Sequence, residues 1–138
     1  MTLQEKQSNL ARDLGRFKDP QERLTHLVQV GRKSPSLPAN LRTSEARLEG
    51  CLSNLWLHSD FHDGACYFVT DSDSAVVKGL ATLISELFSG LEPAEILKSD
   101  LALLREAGLW QHLTPNRRTG LSRLLDHIHE FARAHLPK

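Results

Sequence analysis

"SNLWLHSDFHDGACYFVT", residues 53–70, decides how this chain folds. Two short runs, "SNLWLHS" and "GACYFVT", mix apolar, aromatic and β-branched residues and so favour a pleated surface. Between them "DFHDG" ends on Asp63-Gly64, a strong hairpin-turn pair because glycine tolerates positive φ. On an antiparallel hairpin Leu55 and Leu57 would face one side, with Asn54, Trp56 and His58 on the other. A further short run, "EARLEGC" (45–51), precedes them. The expectation is therefore a small sheet of about three strands, with Cys51 in the tight connection between the first two. Gly50 lets the backbone turn there and allows another surface to come close.

Outward from the hairpin the period changes to that of helices. Leu10, Leu14 and Phe17 recur at helical spacing and predict a first helix over about residues 3–15. In "DPQERLTHLVQVGRK" Asp19 is placed to cap, Pro20 suits the first helical position, and Leu24, Leu27 and Val28 form one face. "SPSLP" (34–38) stops that helix, since two prolines force extended backbone around them. After the hairpin, "DSDSAVVKGLATLISELFSG" offers Asp71, Ser72 and Asp73 as capping oxygens. Its stripe of Val76, Val77, Leu80, Leu83, Ile84, Leu87 and Phe88 has core spacing, and Gly90 suits the end. "EPAEILKS" and "SDLALLREAG" read as shorter helices. "LTPNRRTG" reads as a turn leading into "LSRLLDHIHEFARAHL", where Leu121, Leu124, Leu125, Ile128 and Phe131 share a face. Helices, then a small sheet, then helices predict an α+β fold, with the sheet packed by N- and C-terminal helices.

The chain has 138 residues with no repeat, low-complexity tract or long linker, which predicts one domain over 1–138. Lys+Arg and Asp+Glu both number 17, for a formal net charge of +0. That balance gives neither the basic footprint of a nucleic-acid binder nor a polybasic membrane anchor. The start, "MTLQEKQSNLARDL", is charged and lacks the apolar core of a signal peptide. No run approaches the roughly 18 apolar residues of a spanning helix. A cytoplasmic location is expected, without nucleic acid or membrane as partner.

There are 2 cysteines, Cys51 and Cys66. A reducing cytoplasm disfavours pairing them, and neither C-x-x-C nor H-x-x-x-H metal spacing surrounds them. His58 and His62 lie between them but would share a face only on a helix, so no metal is expected. A thiol behind a glycine on a loop can react if it is accessible and ionises, yet free cysteines are also commonly small buried hydrophobes. Position alone leaves both readings of Cys51 open. Cys66, inside "ACYFV", is expected to be buried in the sheet. A cysteine hydrolase would need a histidine base and an orienting group. None of the 7 histidines sits in such a signature; His127, His129 and His135 fall on the last helix and are expected to be solvated or partly packed. No phosphate-cradling glycine motif is present. Arg117 and Arg118 in "TPNRRTGL" read either as a solvated pair or as donors that order a loop or meet a partner carboxylate.

Three stretches in order resemble one family. "EGCLSNLWL" resembles the G-C-x-S-x-x-W segment of the SufE/CsdE-type sulfur-acceptor proteins. "DSDSAVVKGL" resembles their D-S-D-x-x-x-V-K-G-L helix start, and "LTPNRRTGL" their L-T/S-x-x-R-x-x-G-L turn. The resemblance runs over nearly the whole chain. It implies an α+β fold with the acceptor cysteine on a loop, here Cys51. It further implies that Cys51 takes persulfide sulfur from a PLP-dependent cysteine desulfurase of the SufS/CsdA type, stimulating that enzyme, and delivers it to a downstream iron–sulfur scaffold. The family's turn arginine maps onto Arg117, and Asp73 falls in the matching acidic helix start; with Gly50 these would support the loop or bind the partner. No cofactor is implied on this chain, PLP being expected on the desulfurase. Two other readings stand beside this one: a desulfurase-binding activator without covalent transfer, and a stand-alone thiol hydrolase.

Overall fold

The computed structural model describes residues 3–48, 54–99 and 113–137. At its centre β1 (Leu55–His62) and β2 (Ala65–Ser72) pair antiparallel, from Leu55 opposite Ser72 to His62 opposite Ala65. Asp63 and Gly64 close the hairpin with φ of 52° and 78°. Both values are left-handed, which matches the twist of the flanking strands and is what an Asp-Gly pair tolerates. As the alternation predicts, Leu55 and Leu57 are buried, on the same face as Cys66, Phe68 and Thr70.

The expected third strand does not form: among the described residues the sheet has two strands. "EARLEGC" begins with a turn, in which Thr43 accepts from the Arg47 N–H through its carbonyl and from the Ala46 N–H through its hydroxyl. What remains is one rung, Arg47 opposite Trp56. It is made by Leu48 N–H to the Leu55 carbonyl at 2.8 Å and Leu57 N–H to the Ala46 carbonyl at 2.9 Å. Residues 46–48 are too few to propagate a ladder. On the opposite edge Cys66 meets Leu91, its N–H donating to the Leu91 carbonyl at 2.8 Å while Gly90 N–H donates to the Cys66 carbonyl at 2.7 Å.

Helix α1 (Leu3–Gly15) has the expected bounds. Helix α2 (Pro20–Lys33) is capped by Asp19, whose carboxylate accepts from Gln21 N–H at 3.1 Å, and it ends at Ser34 where the prolines begin. A short 3-10 turn follows at Ala39–Leu41. Helix α3 (Ala75–Phe88) starts later than the acidic residues suggest: Ser74, not Asp71, Ser72 or Asp73, accepts from the Val77 N–H. Helix α4 is Pro93–Leu97, and Gly90 takes a left-handed φ of 82° between α3 and α4. Helix α5 spans Pro115–Ala134. Its start corrects the reading of "LTPNRRTG" as a turn. Thr114 caps and Pro115 opens the helix, so Arg117 and Arg118 lie in its first turns. The expected helix in "SDLALLREAG" lies outside the described residues apart from its first residue, Ser99.

The core sits between helix α3 and its two neighbours, α2 on one side and β2 on the other. Leu80, Ile84, Leu87 and Phe88 are buried with Leu27, Leu121, Leu124, Leu125 and Ile128. Each such side chain contributes about 1.5–3 kcal/mol of transfer free energy. Val76, Val77, Leu83 and Phe131 pack at the margin. Helices α2 and α3 approach closely where two glycines face them. A Cβ on Gly79 would overlap the backbone of Leu27, and one on Gly31 the carbonyl of Ala75. Helix α1 is fastened to α3 by Lys6, whose ammonium donates to the carbonyls of Ser89 at 2.6 Å and Glu86 at 3.2 Å. Those acceptors are orphan groups of the helix C-terminus.

Candidate functional site

Two of the predicted site residues, Gly50 and Cys51, lie outside the described residues, within 49–53. What the structure describes is how the chain is held on either side of them. Before this segment Leu48 is buried, and its N–H is bonded to the Leu55 carbonyl. After it comes Asn54, and Cys51 is three positions from each of these two residues along the chain.

Asn54 is fixed by the acidic end of β2. Asp73 accepts from the Asn54 backbone N–H at 3.1 Å and from its side-chain amide at 2.9 Å. The Asn54 carbonyl accepts from the Ser72 hydroxyl at 2.6 Å and from the Asp73 N–H at 3.4 Å. Ser72 Oγ in turn accepts from the Ser74 N–H at 3.1 Å, which links this clamp to the cap of α3. Asp73 is thus bonded to Asn54, the first described residue after 49–53.

Asp71, two positions before Asp73, faces the other way. It is 3% exposed. Its carboxylate accepts from the Leu37 N–H at 2.9 Å and the Ser72 N–H at 2.8 Å, and lies 3.5 Å from the Lys78 ammonium. Lys78 also donates to Ser36 Oγ at 3.3 Å. A buried carboxylate without these donors would be strongly unfavourable, and a shared cation and two amides offset its desolvation. Thus Asp71 and Lys78, seven positions apart, pin the proline-rich 34–38 segment against the sheet, and Gly79 beside them lets α2 close in. "DSDSAVVKG" reads, in the structure, as one fastening built from consecutive side chains pointing in different directions.

Arg117 is not part of this cluster. Its backbone N–H donates to Thr114 Oγ1 at 3.3 Å, and it is half-buried in the first turn of α5. Among the described residues no hydrogen bond or ion pair joins Arg117 to Asp73 or Asn54. The last two turns of the same helix do come near Leu48. An open recess of about 280 Å³ is lined by Glu45, Ala46, Leu48, Leu57 and Ser59 on one side and by His127, Glu130, Phe131 and Ala134 on the other. Sequence reasoning missed the Asp71–Lys78 pair and the Asn54–Asp73 clamp, and missed the recess. The only available signal was the acidic strand end followed seven positions later by a lysine, which pattern alone does not distinguish from helix capping.

Cys66 is 0% exposed in the sheet, as expected, and burial pushes its pKa up, which disfavours the thiolate. The histidines of α5 do not gather: His127 is exposed, while His129 lies 3.2 Å from Ser99 Oγ and His135 stacks on Phe131. His58 and His62 are on β1, as the strand reading requires. Among the described residues no group of three His, Cys, Asp or Glu side chains is placed to hold a metal ion. No helix among them is long and apolar enough to cross a membrane.

Comparison with known proteins agrees over most of the chain. Residues 8–132 match the family model described as "SufE: Fe-S metabolism associated domain". An uncharacterized SufE-like protein of Rhizobium meliloti is 33% identical over 122 residues, covering 85% of this chain and 87% of that protein. A second, from Synechocystis, is 32% identical over 115 residues, covering 81% of this chain and 72% of its own. In three dimensions the fold is similar to the solution structure of a hypothetical protein from Thermus thermophilus. The TM-score is 0.75 at 22% identity, with 94% of each chain covered. At that identity the likeness speaks for the α+β fold alone. With the family model spanning most of its length and relatives above 30% identity, the chain belongs to the SufE family, whose domain is associated with iron–sulfur metabolism.

Proposed function

We propose that this chain is a sulfur acceptor and carrier: Cys51 takes persulfide sulfur from a PLP-dependent cysteine desulfurase and hands it on for iron–sulfur cluster assembly. One observation carries the choice of thiol. Of the two cysteines, Cys66 is fully enclosed with its ionisation opposed by burial, which leaves Cys51 as the thiol that the family resemblance also selects. Family membership supplies the iron–sulfur context.

The step is an exchange at sulfur. The Cys51 thiolate attacks the outer sulfur of the desulfurase persulfide, Cys–S–SH. The bond between that sulfur and the desulfurase cysteine breaks, and its thiolate leaves with the electron pair. Cys51 then carries the –S–SH group. No external oxidant is consumed, because the outer sulfur enters already at the sulfane level. An accessible attacking thiolate and a stable leaving thiolate favour the reaction. Gly50 supplies backbone freedom next to the reacting residue.

The test is mass spectrometry of the full chain after incubation with a SufS-type desulfurase and cysteine. One added sulfur is expected on the peptide containing Cys51; sulfur on the Cys66 peptide, or on neither, would refute the proposal. A Cys51→Ser variant separates carriage from activation by contact. It should still bind the desulfurase yet lose stimulation, whereas retained stimulation would favour the contact activator.

A further inference from the structure

The open end of the hairpin carries positive charge without a counterion. Trp56 alternates onto the face opposite Leu55 and Leu57 and is half-buried there. Arg47 stands directly across from it in the single rung that joins residues 46–48 to β1, so both side chains project to the same side. Arg42 meets the same indole from another direction, its guanidinium carbon 5.9 Å from the ring centroid. The position of Arg42 is built into the fold. Its N–H donates to the Pro38 carbonyl at 3.2 Å, and the neighbouring Leu37 N–H is held by the buried Asp71 carboxylate at 2.9 Å. Both arginines are exposed, and neither guanidinium has a carboxylate partner among the described residues. The acids close by in sequence or register are engaged elsewhere. Asp71, opposite Trp56, lies 3.5 Å from Lys78; Asp73 accepts from Asn54; Glu45 lines the recess with Leu48 and Leu57.

What meets this patch follows from the reaction. Cys51 is three positions from both Leu48 and Asn54, and three peptide units reach no farther than about 11 Å. A protein that brings a persulfide to Cys51 must therefore arrive beside those two residues. Interfaces cover about 800 Å² per partner, a disc of roughly 16 Å radius, so Arg47, next to Leu48, and Trp56, two positions past Asn54, fall under the donor. Two guanidiniums around one indole suit a carboxylate: arginine donates paired, charge-assisted bonds to it, and arginine and tryptophan anchor many interfaces. We propose that Arg42, Trp56 and Arg47 receive an acidic stretch of the sulfur-donating protein, with a carboxylate of that stretch bonded to the guanidiniums. The inference rests on the function proposed above and adds to it the charge of the donor surface that this chain selects.

The test is the rate at which the full chain associates with a SufS-type, PLP-dependent cysteine desulfurase at low and at physiological salt. The parent should associate more slowly as salt rises, because unlike charges steer the encounter. A chain carrying Arg42→Glu and Arg47→Glu should associate about tenfold or more slowly at low salt, and its salt dependence should flatten or invert. Arg42→Lys with Arg47→Lys keeps both charges and should keep the parent's salt dependence. Both side chains are exposed, so thermal unfolding should agree among the three chains. The proposal is overturned if the Glu variant associates like the parent at both salt concentrations. It is equally overturned if that variant is destabilised in step with its slower association, since the guanidiniums would then serve the chain's own fold. Binding of a single-stranded oligonucleotide by the parent but not by the Glu variant would assign the patch to phosphate and also overturn it. Sulfur reaching Cys51 while association ignores the charge reversal would remove the patch and leave the carrier reading standing. A charge-dependent complex in which no sulfur reaches Cys51 would remove the carrier reading and leave the patch to a contact activator; absence of any complex would end both.

Discussion

The two ends of the β1–β2 hairpin are built on opposite terms. At the turn, Asp63 and Gly64 close the strands through left-handed backbone, and the contacts around them are exposed ones: His62 stacks on Tyr67 at 4.2 Å and lies 3.2 Å from the Asp60 carboxylate. At the open end, Asp71, Ser72 and Asp73 send three side chains to three places: the 34–38 segment, the cap of α3, and Asn54. A turn needs only the right φ values to form. Holding a loop arm, a proline-rich segment and a helix start in one place needs specific donors and acceptors. Specific polar bonds therefore concentrate at the end where residues 49–53 join β1, while the turn end relies on backbone conformation with exposed contacts around it.

The sharpest way to break the fastened end is Asp71→Ala. It removes a buried carboxylate, strands the Lys78 ammonium and leaves Leu37 N–H unpaired. Losing one member of a buried pair typically costs about 3–5 kcal/mol. Thermal or urea unfolding should show a loss of that order; a loss below about 1 kcal/mol would mean that Asp71 is solvated in solution. Next comes Gly79→Ala. The new methyl would collide with the Leu27 backbone, which cannot rotate away as a side chain could. Overpacking of this kind costs about 1–3 kcal/mol and should separate α2 from α3. Faster amide exchange along α2 would report that separation.

At the turn end the corresponding change is Gly64→Ala. Nothing crowds the added Cβ, so the whole penalty is the left-handed φ of 78°. That conformation costs a non-glycine residue about 1 kcal/mol. Chemical denaturation should detect a loss of this size with the ladder amides still protected. If Gly64→Ala proved as damaging as Asp71→Ala, the contrast between the two ends would be lost.

How much of this was legible beforehand follows from which physics each feature uses. The turn, the helix stripes and the Asp19-Pro20 start depend on local periodicity or φ preference, so residues 19–33 and 63–64 carried their own signal. The third strand failed because Thr43 bonds Ala46 and Arg47 across a turn, a competition that β propensity does not register. The start of α5 failed for a related reason. In "LTPNRRTG" threonine and proline cap and open a helix, yet the same residues also make turns. Of the site, the burial of Cys66 was readable from its apolar run. The division of labour between Asp71 and Asp73 was not: two residues apart they would share a strand face, and what separates them is the end of β2 at Ser72 and the 34–38 segment over Asp71, while both look like helix-cap residues in sequence. The recess draws on residues 45–48, 57–59 and 127–134, and their proximity is a tertiary fact.

Asp73→Ala should have the smallest effect on stability and the most local one. It deletes two hydrogen bonds to Asn54, both exposed, and a loss of at most about 1 kcal/mol is expected because water replaces the carboxylate. The consequence should appear instead at the segment that Asn54 anchors. With the outgoing arm held only by the Ser72 hydroxyl and the Asp73 N–H, local opening becomes cheaper than global unfolding by a wide margin. Alkylation of Cys51 by iodoacetamide should then accelerate about threefold, the factor corresponding to roughly 0.7 kcal/mol. Cys66, enclosed in the core, should remain unreactive in both proteins. Asp73→Asn keeps an oxygen for the Asn54 N–H and should fall between the two. Should Cys51 react at the same rate in all three, the clamp serves only the hairpin, and the polar investment at this end would have to be explained by Asp71 and the 34–38 segment alone.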